Sequence, residues 1–128
     1  MFAGPFALPP GSLISISTHL FYRHFGIVTE RGTVISNSTR HRGAREETLA
    51  EFCDGKPWRL EPRPSDLTWW VVLARARQLM SKPYNLFTWN CESFVTSAYG
   101  LAPRSDQVAV SVLVAAVGLI AAMSFSNS

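Results

Sequence analysis

Residues 12–17 run Ser-Leu-Ile-Ser-Ile-Ser, the polar and apolar alternation of a strand with one buried face. Residues 20–28, Leu-Phe-Tyr-Arg-His-Phe-Gly-Ile-Val, are aromatic and β-branched and predict a second strand. Thr29-Glu30-Arg31-Gly32 is a turn in which Gly32 is free to take a positive φ. Residues 33–36 return as a third strand, so the opening is a meander. Residues 37–45 are polar and rich in Arg and Gly, which predicts a surface loop. A short helix over 46–54 ends at Gly55, and 58–61 reads as one more strand, closed by Pro62 and Pro64.

The period then changes. Ser65 is a candidate N-cap with Asp66 in the first turn, and Trp69, Val72, Leu73, Ala76, Leu79 and Met80 follow at helical spacing. That spacing makes the Trp69-Trp70 pair core material. Pro83 stops the helix. After an aromatic loop over 84–89, Asn90 caps a helix over 91–99, and Gly100 takes its C′ position. Strands followed by helices predict an α+β fold, a small antiparallel sheet packed with helices. It occupies one domain at 11–107, preceded by an extension over 1–10. No internal repeat is visible.

Residues 108–125 contain no charged side chain and are nearly all apolar or small. At 18 residues the stretch is at the lower edge of a bilayer span. It reads as a membrane anchor, or as an apolar helix packed on the domain or on a partner chain. Membrane association is the expectation. Arg104 on the N-terminal flank then places the domain in the cytoplasm. The first ten residues have no positive n-region and are interrupted by Pro5, Pro9 and Pro10, so they do not read as a signal peptide.

With 47% apolar and 16% charged residues in 128, the chain is a folded protein and not a disordered one. Its net charge of +3 forms no long basic run, which argues against nucleic acid and fits anionic lipid headgroups. Two cysteines make no disulfide framework. No CxxC pair exists, and His19, His24 and His41 lack zinc-site spacing, so no metal or organic cofactor is implied. Cys53, in the apolar run 49–53, reads as a small buried hydrophobe.

Cys91 is different. It opens a helix, where free N–H groups favour thiolate over thiol. Phe94, Val95 and Ala98 share its face, so the sulfur points coreward. His24 shares a strand face with Gly26 and Val28. A helix packed on that face would set Cys91 Sγ against the imidazole, giving a thiolate–imidazolium pair with a general base. The plainer alternatives are a cysteine buried for packing and a structural histidine.

Tyr22-Arg23-His24-Phe25-Gly26-Ile27-Val28 resembles the Tyr-Arg-His strand of the lecithin:retinol acyltransferase-like family. Asn90-Cys91-Glu92-Ser93-Phe94-Val95 is similar to that family's Asn-Cys-Glu-His-Phe nucleophile motif, and the segment 46–52 also matches. The resemblance covers roughly 11–107. It implies a permuted papain-like fold, related to NlpC-type peptidases. It also implies an acyltransferase or phospholipase A-type hydrolase acting on phospholipid acyl esters through a Cys thioester. By position Cys91 is then the nucleophile and His24 the base, with Tyr22 and the Cys91 N–H at the oxyanion. The family's second His, which orients the first, is replaced here by Ser36, a neutral and shorter partner. Asn37 points to the opposite strand face, and His41 is a third candidate for the orienting role. Ser93 stands where the motif has His and is expected to support rather than catalyse. Arg40 and Arg42, in the loop 40–45, are candidates to hold phosphate headgroups. Trp89, Phe87 and the tail are candidates to bind acyl chains. The same Cys–His pair serves a peptidase or amidase equally well. Ser36 also fits a membrane-tethered interaction domain that kept the fold and lost the chemistry.

Overall fold

The computed structural model describes residues 8–19, 22–85 and 89–102. They form an α+β fold around one five-stranded antiparallel sheet. In chain order the elements are β1 (Leu13–His19), β2 (Tyr22–Val28), β3 (Val34–Ser38), β4 (Gly43–Glu47), α1 (Leu49–Cys53), β5 (Trp58–Glu61), α2 (Trp69–Leu79) and α3 (Cys91–Ala98). The strand order across the sheet is β4-β3-β2-β1-β5.

Both faces of the sheet are covered. Leu13, Ile27 and Ile35 face α2 and α3, packing with Val72, Leu73, Ala76, Phe94, Val95 and Ala98. Ile14, Ile16, Val28 and Val34 face α1, packing with Phe52 and Cys53. Two covered faces explain why β1 has adjacent apolar residues, Leu13 and Ile14, where a half-solvated strand would alternate. Cys53 is buried and unpaired with Cys91, as a packing residue would be. Gly26 is required by this second layer: a Cβ there would stand 2.7 Å from Phe52 Cε1 and closer still to Val34.

Three expectations are corrected. Residues 37–45 are not a surface loop: Asn37 and Ser38 complete β3, and 43–45 begin β4, paired with β3 from Ser38↔Gly43 to Val34↔Glu47. Its polar composition is that of an edge strand. The Ser65 cap is also displaced. α2 begins after Thr68, and the Ser65 hydroxyl instead donates to the Tyr99 carbonyl at 2.6 Å. Finally, Trp69 and Trp70 are 36% and 59% exposed, and the buried stripe of α2 begins at Val72.

α3 ends as expected. Gly100 takes φ 83°, its N–H bonds the Ser97 carbonyl, and Leu101 N–H bonds that of Thr96, a Schellman closure. The Tyr99 hydroxyl ties this end to the Gly11 carbonyl. Residues 1–7 and 103–128, with the apolar stretch 108–125, lie outside the described residues. Among the described residues no helix is long and apolar enough to cross a membrane.

Candidate active site

The site forms where two neighbouring strands part. The β2–β3 ladder pairs Val28 with Val34 and Ile27 with Ile35, and goes no further toward Tyr22. Val28 exchanges main-chain bonds with Gly11 and Ser12, on the β1 side. By alternation, the main-chain groups of Arg23 and Phe25 then point toward β3. The first turn of α3 enters that gap. Cys91 Sγ lies 3.8 Å from the Arg23 carbonyl oxygen, and the Phe25 N–H points at the same sulfur. On the facing strand, Asn37 Nδ2 donates to the carbonyls of Trp89 at 2.9 Å and Asn90 at 3.2 Å.

Local sequence fixes the turn itself. Asn90 Oδ1 accepts from Glu92 N and Ser93 N, each at 3.0 Å, and Ser93 Oγ accepts from Asn90 N at 2.7 Å. This reciprocal capping box uses Ser93 as the N3 partner. It leaves the Cys91 N–H outside the cap. Ser93 thus has the supporting position expected of it.

His24 lies in the other layer. Its side chain lies on the α1 face of β2, opposite Ile16, and its ring stacks on Phe52 with centroids 5.1 Å apart. Nε2 is 3.2 Å from Ser36 Oγ. Ser36 thus lies within hydrogen-bond reach of the imidazole, and Asn37 faces the other way, as alternation requires. His41 is engaged elsewhere: its ring nitrogens lie 3.1 Å from Arg45 and 3.4 Å from Glu47. The expectation that the Cys helix packs on the His24 face is corrected. α3 packs on the opposite face, and Phe52 of α1 fills the space above Gly26 where such a helix would lie.

Electrostatics set both groups to neutral. Burial, then the positive charges of Arg40, His41 and Lys56, lower His24 to about 4. Burial raises Cys91 to about 11; the Phe25 N–H opposes this and the Glu92 carboxylate adds to it. The resting thiolate expected from a helix N-terminus is therefore corrected. Removing the sulfur from water outweighs the amides that face it. Among the described residues the thiol's hydrogen-bond partner is a carbonyl, and the imidazole's is a hydroxyl.

The remaining candidates separate. Tyr22 opens β2 and is half-buried. Tyr84, which the sequence does not single out, lies near both it and Cys91: burial raises its phenol above the usual range, and Cys91 and Tyr22 add to the shift. Its only sequence signal is its place between Pro83 and the turn that leads into Cys91. Arg40 is tied to α1 and β4, 3.4 Å from Glu47 and 3.8 Å from Asp54, so its charge is already partnered. Arg42 is exposed at φ 57°, and its carbonyl lies 3.5 Å from Tyr84 N. Trp89 is 2% exposed, under Lys82 Nζ at 4.0 Å and edge-on to Phe94. Among the described residues Trp89, at the turn before the cap, is core and offers no exposed face to an acyl chain. Phe87 lies outside the described residues.

Comparison with known proteins adds one match. The family model described as lecithin retinol acyltransferase matches residues 7–102. The matched stretch contains every strand and helix described, with His24 and Cys91 among them. No curated protein matches the chain.

Proposed function

Because the chain belongs to the lecithin retinol acyltransferase family, whose activity is broadly of the acyltransferase or phospholipase type, we propose that it acts on phospholipid acyl esters with Cys91 as nucleophile and His24 as base. The observation that carries this reading is the lodging of Cys91 Sγ at the Arg23 carbonyl, one residue from His24. The order of a His-bearing sheet before a Cys-bearing helix fits a permuted papain-like arrangement.

In this reading His24 donates Nε2–H to Ser36, and Nδ1 is the base. Substrate entry displaces the thiol from the Arg23 carbonyl. As Sγ bonds the acyl carbon, its proton passes to Nδ1, and the carbonyl oxygen gains negative charge beside the Cys91 N–H. The ester oxygen leaves with that proton as the lysophospholipid. Water or an acceptor nucleophile then takes the acyl group from the thioester and regenerates the thiol. Tyr22 and Tyr84 bound the nucleophile's side of the site, and Arg42 offers a charge to the headgroup. The apolar stretch 108–125 holds the domain at the lipid surface.

The test is product analysis on phosphatidylcholine vesicles. Wild type releases fatty acid or acylates an added amine, and Cys91→Ala and His24→Ala do not. Cleavage of an amide without ester turnover would make the protein a peptidase or amidase. The neutral thiol, bonded to a carbonyl and not to the imidazole, favours a second reading, an interaction domain without chemistry; it predicts no turnover of either substrate.

A further inference from the structure

Asn37 is fully buried, a polar side chain among apolar ones on the α3 side of β3. Its two amide hydrogens go to successive main-chain carbonyls, those of Trp89 and Asn90. Those are the two peptide units that lead into Cys91. Its Oδ1 has no hydrogen-bond partner among the described residues. For stability alone this is a poor arrangement, because a buried acceptor without a partner is costly and an apolar side chain of equal size avoids that cost. Ser36, the preceding residue on the same strand, points to the other face and meets His24.

We propose that Asn37 is a positioning residue for the nucleophile: its amide clamps the main chain ahead of Cys91, fixing where the thiol and the Cys91 N–H stand against β2. Consecutive residues of one strand then hold the two halves of the site, Ser36 the imidazole and Asn37 the cysteine turn. A strand is stiff along its length, so the separation of base and nucleophile is set by alternation across a single pleat. The proposal rests on the reading of Cys91 as nucleophile.

The test compares wild type with Asn37→Leu, which keeps the branching and heavy-atom count, is somewhat larger, and removes both donors and the orphan acceptor. Three readouts separate the possibilities: kcat and KM for release of fatty acid from phosphatidylcholine, the melting temperature, and the pH midpoint of Cys91 alkylation. Loss of positioning predicts kcat lower by about 10²-fold, since a small misplacement of a reacting group has that effect. It predicts KM unchanged and a melting temperature equal to or above wild type. The alkylation midpoint falls from about 11 toward the ordinary thiol value of 9.0 as the sulfur leaves the β2 edge. A folded variant with wild-type kcat and an unchanged midpoint overturns the proposal, as does a lower melting temperature with both intact. If wild type turns over no acyl ester, the proposed function fails separately, and the alkylation midpoint still decides the role of Asn37. Asn37→Ala, read the same way, replaces the Leu variant should that not fold; if neither folds, Asn37 is structural and the proposal falls.

Discussion

Cys91 Sγ lies 3.8 Å from the main-chain carbonyl oxygen of Arg23, the residue that precedes His24 in β2. A carbonyl accepts a proton's hydrogen bond and has none to give, so this contact suits a thiol and not a thiolate. Cys91 is thus placed by strand main chain, while His24 is held separately by Ser36 and Phe52. In the proposed mechanism the sulfur has to leave that carbonyl, which would make substrate entry the activating step.

The thiol's resting state is directly measurable. Cys91 is expected to label with iodoacetamide only as pH rises through about 11, with sites mapped by mass spectrometry to separate it from Cys53. Cys53 is also pushed up by burial and labels slowly at neutral pH. A Cys91 midpoint below the ordinary thiol value of 9.0 would restore the resting ion pair and contradict the electrostatics described above.

If His24 is the base, it gives an acid limb. In that role His24 acts when neutral, and its folded value of about 4 lies below the ordinary 6.5. Activity should persist as pH falls through 6 and be lost only near 4, provided the fold survives. The same shift bears on stability. Between pH 6.5 and about 4 the unfolded chain binds the proton and the folded chain does not, so stability falls as pH falls across that window, by roughly 2–3 kcal/mol. Urea midpoints at pH 7 and pH 4.5, in wild type and His24→Phe, measure it. Equal pH sensitivity in both proteins would remove His24 from the explanation.

Gly26→Ala tests the layer behind His24. The new methyl group meets Phe52 and Val34, and Phe52 is the ring on which His24 stacks. A loss of about 1–3 kcal/mol in urea unfolding is expected, together with lower kcat from a displaced imidazole. Unchanged stability would mean that the α1 layer yields at no cost.

Ser36→Ala removes the imidazole's partner at Nε2. A neutral hydrogen bond contributes about 0.5–1.5 kcal/mol, so kcat should drop by roughly 2- to 10-fold with little change in KM. A loss as large as that of His24→Ala would mean that Ser36 does more than orient the ring.

Much of this was legible in the chain. Asn90, Ser93 and Gly100 bracket α3 with cap and C′ chemistry that depends only on neighbours, and the meander follows from β-branched runs around Gly32. β4 was hidden because 43–45 are polar and an edge strand needs no apolar alternation. Trp69 and Trp70 misled because periodicity reports which face a residue shares, not how deeply that face is buried at the helix's first turn. The order of His24 before Cys91 was visible in the motifs. That α3 packs on the face opposite His24 was not, because it depends on where the β2–β3 ladder stops, a long-range property. Asn37 showed only its parity, and its bonds to Trp89 and Asn90 span more than fifty residues of chain.

The most direct test of the central claim is to trap the acyl-enzyme. Wild type mixed with a phosphatidylcholine of defined acyl chains and quenched in acid should gain the mass of one acyl group, mapped to Cys91 and released by neutral hydroxylamine, with no adduct on Cys91→Ser under those conditions. Fatty acid release without an adduct on Cys91 in wild type, or an adduct that maps instead to Cys53, would contradict the assignment of Cys91 as the nucleophile.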